Sequence, residues 1–415
     1  MPLAKADKTD APEAKREQQP RWLDTTVLGE GAAHRGAWII LERMRALLLL
    51  LIFSGLCASA QQPSSDDGLL QSGLQAQQNG DSKTAIRDYT EVLKAHPDMA
   101  ELRANLAVVL VHEGRFDDAI AQYRQALRTM PDNATIRKNL ALAYFKEDDF
   151  KDARNEFEIV HKADPQNPQL AILLGDCELR MGQPADAVAM LMPLETANAS
   201  NTDYEYVLGT ALIATGKRSE GVARIEKVAQ ATSSADDYLL AGSTLLDLQQ
   251  FARARTDLET ALHLKPDLPR ASILTGMADD MAGDAAAAEP LLREGLRHDP
   301  NDFNGNLYLG AILYKRRSMA EAKTYLDRAV QLQPANPTAG YEMAMWDSTS
   351  GNYEEAVKIL EALVKSSPDW LQPHVELANV YYRLHRTADG AKERAIVATL
   401  NAKQQASGPP KIQQP

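Results

Sequence analysis

The sequence predicts an all-α fold, a solenoid of antiparallel helix pairs. Three observations predict it. Small residues recur in register about every 34 residues from Asp66 onward. Pro recurs near the end of the same unit. Between these markers, apolar residues fall three and four apart, the period of an amphipathic helix. The composition agrees. At 415 residues the chain has room for two or three ordinary domains or one long repeat array. Charged residues make up 25% and hydrophobic ones 44%, values ordinary for a soluble protein. Aromatics are only 6%, which favours many small helix contacts over a few large cores. A net charge of −12 argues against a general nucleic-acid binder. With only two Cys, a disulfide-stapled scaffold and a multi-Cys zinc module are ruled out.

The first element is a targeting segment at residues 44–60. Arg45 supplies a short positive region and Ala46 to Cys57 an apolar one. Ala58-Ser59-Ala60 fits the small-x-small pattern, so cleavage is expected between Ala60 and Gln61. The apolar run is about a dozen residues, short for a bilayer span. Export to the periplasm or the outside is therefore expected, with membrane contact only through this segment if it stays uncleaved. Residues 1–43 are polar and of mixed charge, and two readings of them compete. Met44 is the true start, or the segment is a long cytoplasmic n-region. A lipid-attachment reading of Cys57 is weakened by Leu56, which stands where a small residue is required. Removing residues 1–60 leaves a net charge of −13 and Cys177 as the lone thiol, which must be hidden to escape oxidation. Residues 61–65 read as a linker.

The repeat units start at residues 66, 100, 134, 168, 202, 235, 269, 303, 337 and 371, and the one at Thr202 is a residue short. Position 8 is Gly or Ala in all ten, from Gly73 to Ala378, and so is position 20, from Ala85 to Gly390. Position 32 is Pro in seven of the first nine, and position 24 is Tyr, Phe, Leu or Ile from Tyr89 to Leu360. Gly80, Gly114 and Gly351 separate two amphipathic stretches, where a left-handed backbone stops the first helix. Pro at position 32 stops the second. The small residues at positions 8 and 20 are expected to face each other where the helices cross.

On these residues the chain resembles the tetratricopeptide repeat family over 66–404. No unit has the family's Trp at position 4, and the units at 168 and 202 end in Ala199 and Ser233 instead of Pro. Pro193 and Pro290 lie inside second helices, where kinks or shortened helices are expected, with 168–234 the least regular stretch. Residues 388–404 suit a C-terminal capping helix, and the Pro-containing tail 405–415 reads as disordered.

The resemblance implies a right-handed superhelix whose first helices line a concave surface for a protein or peptide partner. It implies a non-enzymatic scaffold without cofactors or a small-molecule substrate. The surface would be lined from positions 2, 5, 9, 12 and 13. Large apolar residues recur there, including Leu70, Leu74, Val108, Val111, Leu142, Phe145, Ile172 and Leu179. Further along come Tyr206, Ile213, Leu239, Leu246, Ile273, Met277, Leu307, Tyr314, Tyr341, Met345, Val375 and Tyr382. A long apolar strip marks an interaction site, although packing between repeats also uses such residues. Tyr206, Tyr308, Tyr314, Tyr341, Tyr381 and Tyr382 enrich the C-terminal half in Tyr, which suits a binding hot spot. Asn105, Lys138 and Asn139 are the nearest candidates for gripping a partner's terminal carboxylate. That set is incomplete, because Ala104, Val108 and Leu142 are apolar.

No pair among the eight His has metal-ligand spacing, and no nucleotide or hydrolase motif appears. His96, His161, His263 and His298 fall near second-helix ends, where a cation suits the dipole. Asp117-Asp118, Asp148-Asp149 and Asp279-Asp280 read as helix starts or solvated faces. Cys177 stands at a position that is Ala in other units, a small buried site. The alternatives to an exported envelope scaffold are a cytosolic or membrane-associated adaptor or co-chaperone, and a regulatory arm of an enzyme. The array fills nearly all of the chain after residue 60, which speaks against a fused catalytic domain.

Overall fold

A computed structural model of the chain describes residues 65–406, and among these every regular element is helical. The targeting segment, its Ala60–Gln61 cleavage site and residues 407–415 lie outside the described residues. The helices fall into two compact units, one ending at Val228 and the other beginning at Ala229.

In the first unit, helices alternate as first and second members of each repeat. They are α1 (Ser65–Gln78), α2 (Ser82–Ala95), α3 (Ala100–His112), α4 (Phe116–Thr129), α5 (Ala134–Lys146) and α6 (Phe150–Ala163). Then come α7 (Pro168–Arg180), α8 (Pro184–Leu191), α9 (Glu195–Asn198), α10 (Thr202–Ala214) and α11 (Arg218–Thr232), within which the division falls. The second unit continues with α12 (Ala235–Asp247), α13 (Phe251–Leu264), α14 (Pro269–Met281), α15 (Ala285–His298) and α16 (Phe303–Lys315). It ends with α17 (Met319–Leu332), α18 (Pro337–Ser350), α19 (Tyr353–Ser366), α20 (Leu371–Arg383) and α21 (Thr387–Ala406).

The turn inside each repeat is set by a left-handed residue at position 15. Gly80, Gly114, Gly182, Gly216, Gly283 and Gly351 supply it, and Asp148, Gln249, Arg317 and His385 adopt the same conformation without being glycine. The next residue's N–H then reaches back to close the helix end, as in Asp81 to Ala76 O at 2.8 Å and Arg386 to Tyr381 O at 2.8 Å. Between repeats, the residue before Pro is extended, with φ −126° at His96 and −140° at Lys265. A turn follows, and the last residue of the unit caps the next helix. Asn133, Asn167, Asn201, Ser234, Asp302 and Asn336 each accept a backbone N–H there.

The crossing of the two helices explains the small residues. A Cβ on Gly242 would lie 2.5 Å from Leu258 Cγ and 3.2 Å from the Ala254 carbonyl oxygen. One on Gly221 would lie 2.5 Å from the Gly209 carbonyl oxygen. Position 8 thus meets the position 20 backbone and is covered by the large residue at position 24. Tyr89, Tyr123, Phe157, Leu191, Ile225, Leu258, Leu292, Leu326 and Leu360 are all buried there.

Position 4, which lacks the family's Trp, is used in another way. Arg103 Nε donates to the Pro97 carbonyl at 2.9 Å and its Nη1 to Gln122 at 2.8 Å. Arg137 joins the Pro131 carbonyl and Glu156 in the same manner, at 2.7 and 2.5 Å. Asn306 reaches the Pro300 carbonyl at 3.0 Å. These side chains tie the inter-repeat loop to the first helix, and the arginines tie it to the second as well. The link is directional where an indole would supply apolar area.

The two internal prolines behave differently. Pro193 ends α8 early, and a 3-10 turn at Met192–Leu194 joins it to the short α9. The 168–234 stretch is the irregular one, as its sequence predicts. Pro290, by contrast, sits within α15, which keeps 14 residues, so the expected shortening does not occur. Pro290 and Ala286 both lie on the exposed side, where water can take the carbonyl freed by the missing N–H.

Candidate functional site

In each unit the first helices pack on their neighbours and keep one face in contact with solvent. In the first unit this face carries half-buried Val108 and Val111 on α3, Lys138, Asn139 and Leu142 on α5, and Tyr206 and Ile213 on α10. Leu70, Leu74, Val108, Val111 and Leu142 rest against the core without entering it. In the second unit, Met277, Tyr314, Tyr341, Met345 and Tyr382 are half-buried, and Val375 is exposed.

The strip expected from the sequence is interrupted. Phe145 is 5% exposed and packs edge-on against Phe150 with ring centroids 5.4 Å apart. Leu307 is 6% exposed within the core of the second unit. Ile172, Leu239, Leu246 and Ile273 are buried too. These side chains are buried within the array and contribute to its core. Tyr381 is likewise buried, its hydroxyl donating to Glu361 at 2.6 Å.

Polar groups occupy the gaps. In the first unit, Asp176 lies 3.4 Å from Arg180 on the same helix. Burial raises the Asp176 carboxyl above its ordinary range while Arg180 acts against it. Lys146, on the neighbouring first helix, is half-buried, and desolvation lowers its ammonium. Asn139 Oδ1 is buried without a hydrogen-bond partner.

In the second unit the polar groups of this face are acidic and aromatic. Tyr308 is half-buried, and burial raises its hydroxyl, with Asp280 and Glu342 adding to the shift. Tyr341 is pushed up to about 12 by burial, with Glu342, Glu376 and Tyr314 acting the same way. Its ring lies against Trp370, centroids 5.3 Å apart. Hydrogen bonds tie neighbouring first helices across this face. Tyr314 and Thr349 hydroxyls are 2.9 Å apart, and Ser348 donates to Glu376 at 2.5 Å. Asp280, Glu342 and Glu376 were not singled out as lining residues in the sequence. Their signal is charge on the first helix at positions 6 and 12, the side that faces away from the second helix.

The remaining candidates are structural. Cys177 is fully buried and burial pushes its thiol up. Asp117 and Asp118 occupy the first turn of α4, and Asp149 caps α6. Asp279 departs from the expected solvated face: it is 1% exposed and pairs with Arg255 at 3.2 Å. Among the described residues no cluster of three or more His, Cys, Asp and Glu is arranged to hold a metal, and no helix is long and apolar enough to cross a membrane.

Comparison with known proteins agrees with this geometry. Two family models, both of the tetratricopeptide repeat, match residues 70–134, 239–288 and 276–337, and residues 110–159, 144–209 and 313–378. A TPR repeat-containing thioredoxin, TTL4, of Arabidopsis thaliana is 35% identical over 89 residues. That match spans 21% of this chain and 13% of the relative's length. Among solved structures, the Cut9-Hcn1 hetero-tetramer of APC/C is 14% identical, covering 82% of this chain and 88% of that one, with a TM-score of 0.44. YrrB, described as a TPR protein with an unusual peptide-binding site, is 24% identical over 44% of this chain and 95% of its own, with a TM-score of 0.38. With ten in-register units, left-handed turns at position 15 and matching family models along both units, the chain belongs to the tetratricopeptide repeat family.

Proposed function

We propose that the chain is a non-enzymatic scaffold, exported after cleavage at Ala60, that holds a segment of a partner protein in envelope assembly or trafficking. One observation carries the binding part. Large apolar and aromatic side chains stay half-exposed on the first-helix face of each unit, at Val108, Val111, Leu142, Tyr206 and Ile213, and at Met277, Tyr314, Tyr341, Met345 and Tyr382. A monomer gains nothing from keeping such a face wet, whereas a partner that covers it gains burial of apolar area.

The test is a cross-linked pull-down from the native envelope fraction. The baits are the wild-type chain, Val111→Glu/Leu142→Glu for the first unit, and Tyr341→Glu/Met345→Glu for the second. A discrete partner recovered about tenfold less by one double variant of unchanged helicity supports the reading. Equal recovery by all three baits removes the face as the working surface. The export part is tested by intact mass of the chain made in a secreting bacterium. A mature N-terminus at Gln61 supports it. An unprocessed chain points instead to a cytosolic or membrane-associated adaptor.

A further inference from the structure

We propose that Asn79 is a site of spontaneous covalent modification, at which the backbone nitrogen of Gly80 attacks the side-chain amide and converts it, through a cyclic imide, to aspartate and isoaspartate. The only co-reactant is water, and the inference is independent of the binding role proposed above.

The chain holds two Asn-Gly pairs, Asn79-Gly80 and Asn304-Gly305. The fold treats them differently. Asn79 and Gly80 are both exposed and form the turn between α1 and α2, where Gly80 has φ +76°. A Cβ on Gly80 would meet nothing within 4 Å, so the space beside the pair is open. The Gly80 N–H rests on the Gln77 carbonyl at 3.2 Å. A solvent-exposed bond at a helix end is among the cheapest to open. The residue before the left-handed position is Asn in the first unit alone. Asn304-Gly305 instead lies in the first turn of α16. Gly305 is buried, and its N–H donates to Asp302 Oδ1 at 2.7 Å. A Cβ there would lie 2.9 Å from Leu296 Cδ2.

In the reaction, the Gly80 nitrogen loses its proton to solvent and bonds to Asn79 Cγ, and the Cγ–Nδ2 bond breaks as ammonia leaves. Water then opens the imide. Cleavage between Cγ and the Gly80 nitrogen gives aspartate. Cleavage between that nitrogen and the main-chain carbonyl gives isoaspartate, whose backbone runs through Cβ and Cγ. Closing the ring turns the Asn79–Gly80 peptide out of its helix-end geometry, and Gly permits this because it has no Cβ to obstruct the motion. At Asn304 the same rotation breaks the first turn of α16 and moves a buried residue. Either product places a carboxylate at the C-terminal end of α1, the end that disfavours anions, close to the carboxylate of Asp81. Isoaspartate also lengthens the backbone, so the Asp81 N–H loses its place 2.8 Å from the Ala76 carbonyl. Gln77, which accepts the Tyr89 hydroxyl at 2.6 Å, belongs to the same helix end. The modification therefore loosens the packing of α1 on α2.

The experiment ages the full chain in mildly alkaline buffer, folded and in urea, and maps its peptides by mass spectrometry. Electron-transfer fragmentation separates aspartate from isoaspartate. In the folded chain Asn79 is expected to react within about threefold of its rate in urea, and Asn304 at least about tenfold more slowly than its own rate in urea. Amide exchange in the aged chain should rise about tenfold in Ser65–Gln78 and stay unchanged in Phe303–Lys315, because repeat stability is local. Asn79→Gln, whose longer side chain does not close the ring readily, should keep slow exchange in α1 over the same period. An Asn79 that survives in the folded chain while it reacts in urea overturns the proposal, as do equal rates at Asn79 and Asn304 in the folded chain. Exchange in α1 that rises equally in aged Asn79→Gln overturns the link between the modification and the loosened helix.

Discussion

His374 stands between Glu393 and the carbonyl oxygen of Pro368, with Nδ1 2.6 Å from the carboxylate and Nε2 3.0 Å from the carbonyl. The ring is 3% exposed. One imidazole thus joins α20, α21 and the loop before them. It repeats at the last unit what Arg103 and Arg137 do earlier in the chain. Polar position 4 residues thus fasten the loop between repeats to the first helix in the units at 100, 134, 303 and 371.

Replacing His374 by Ala leaves the Glu393 carboxylate and the Pro368 carbonyl without their partner. The expected cost is about 1–3 kcal/mol. Repeat stability is mostly local, so the loss should appear as faster amide exchange in Leu371–Arg383 and Thr387–Ala406 and not in α2 to α6. Unchanged exchange in α20 and α21 would show that the ring carries no such share.

Two glycines give opposite outcomes for the same substitution. Gly242→Ala places a methyl 2.5 Å from Leu258 Cγ with the Ala254 carbonyl behind it, and overpacking of this kind costs about 1–3 kcal/mol. Gly340→Ala meets nothing closer than 3.7 Å and should gain about 0.5–1 kcal/mol from the lost freedom of the unfolded chain. Urea unfolding of the two variants against wild type checks both. Equal effects would mean the helix crossing tolerates a methyl and that the small-residue rule has another cause.

Most of the fold was legible in the sequence because its rules are local and repeated. A Gly at position 15 and a Pro at position 32 each act through their own backbone, and their recurrence in register makes the pattern visible. Where the rule is conformational but not chemical, the residue alone hides it: Asp148, Gln249, Arg317 and His385 take the left-handed turn without announcing it. The binding face was less legible. Phe145 and Leu142 are both large and apolar and lie three apart on one helix, yet one is buried and the other half-buried. Which of them faces a neighbouring helix depends on packing between repeats, a distance no single unit encodes. The same holds for Asp279 and Asp280, adjacent carboxylates of which one is buried on Arg255 and the other lines the face.

Cys177 gives a probe of the packing between α5, α7 and their partners. Its side chain is fully buried and burial holds the thiol protonated at neutral pH. A maleimide should label it in the folded chain at least about a hundredfold more slowly than in denaturant, since access requires local opening. Labelling at the rate of the unfolded chain would place the thiol at the surface and contradict the position it shares with buried Ala143 and Ala211.

Glu342 should make the chain less stable at neutral pH, and the sign can be worked through. Burial raises its folded-state pKa above the ordinary 4.5 of the unfolded chain, so between the two values the folded state binds more protons. As pH rises through the folded pKa, the carboxylate ionises in its desolvated site and stability is lost. As pH falls, that loss is recovered, completely below about 4.5. Glu342→Gln removes the titration, so its unfolding temperature should exceed that of wild type at neutral pH. The difference should shrink toward zero in acid, where the wild-type side chain is itself neutral. Thermal unfolding of both chains from neutral pH down to pH 4 measures this difference and cancels every titration they share. A variant less stable than wild type at neutral pH would mean that Lys315, whose charge acts against the burial, already stabilises the Glu342 carboxylate in the free protein.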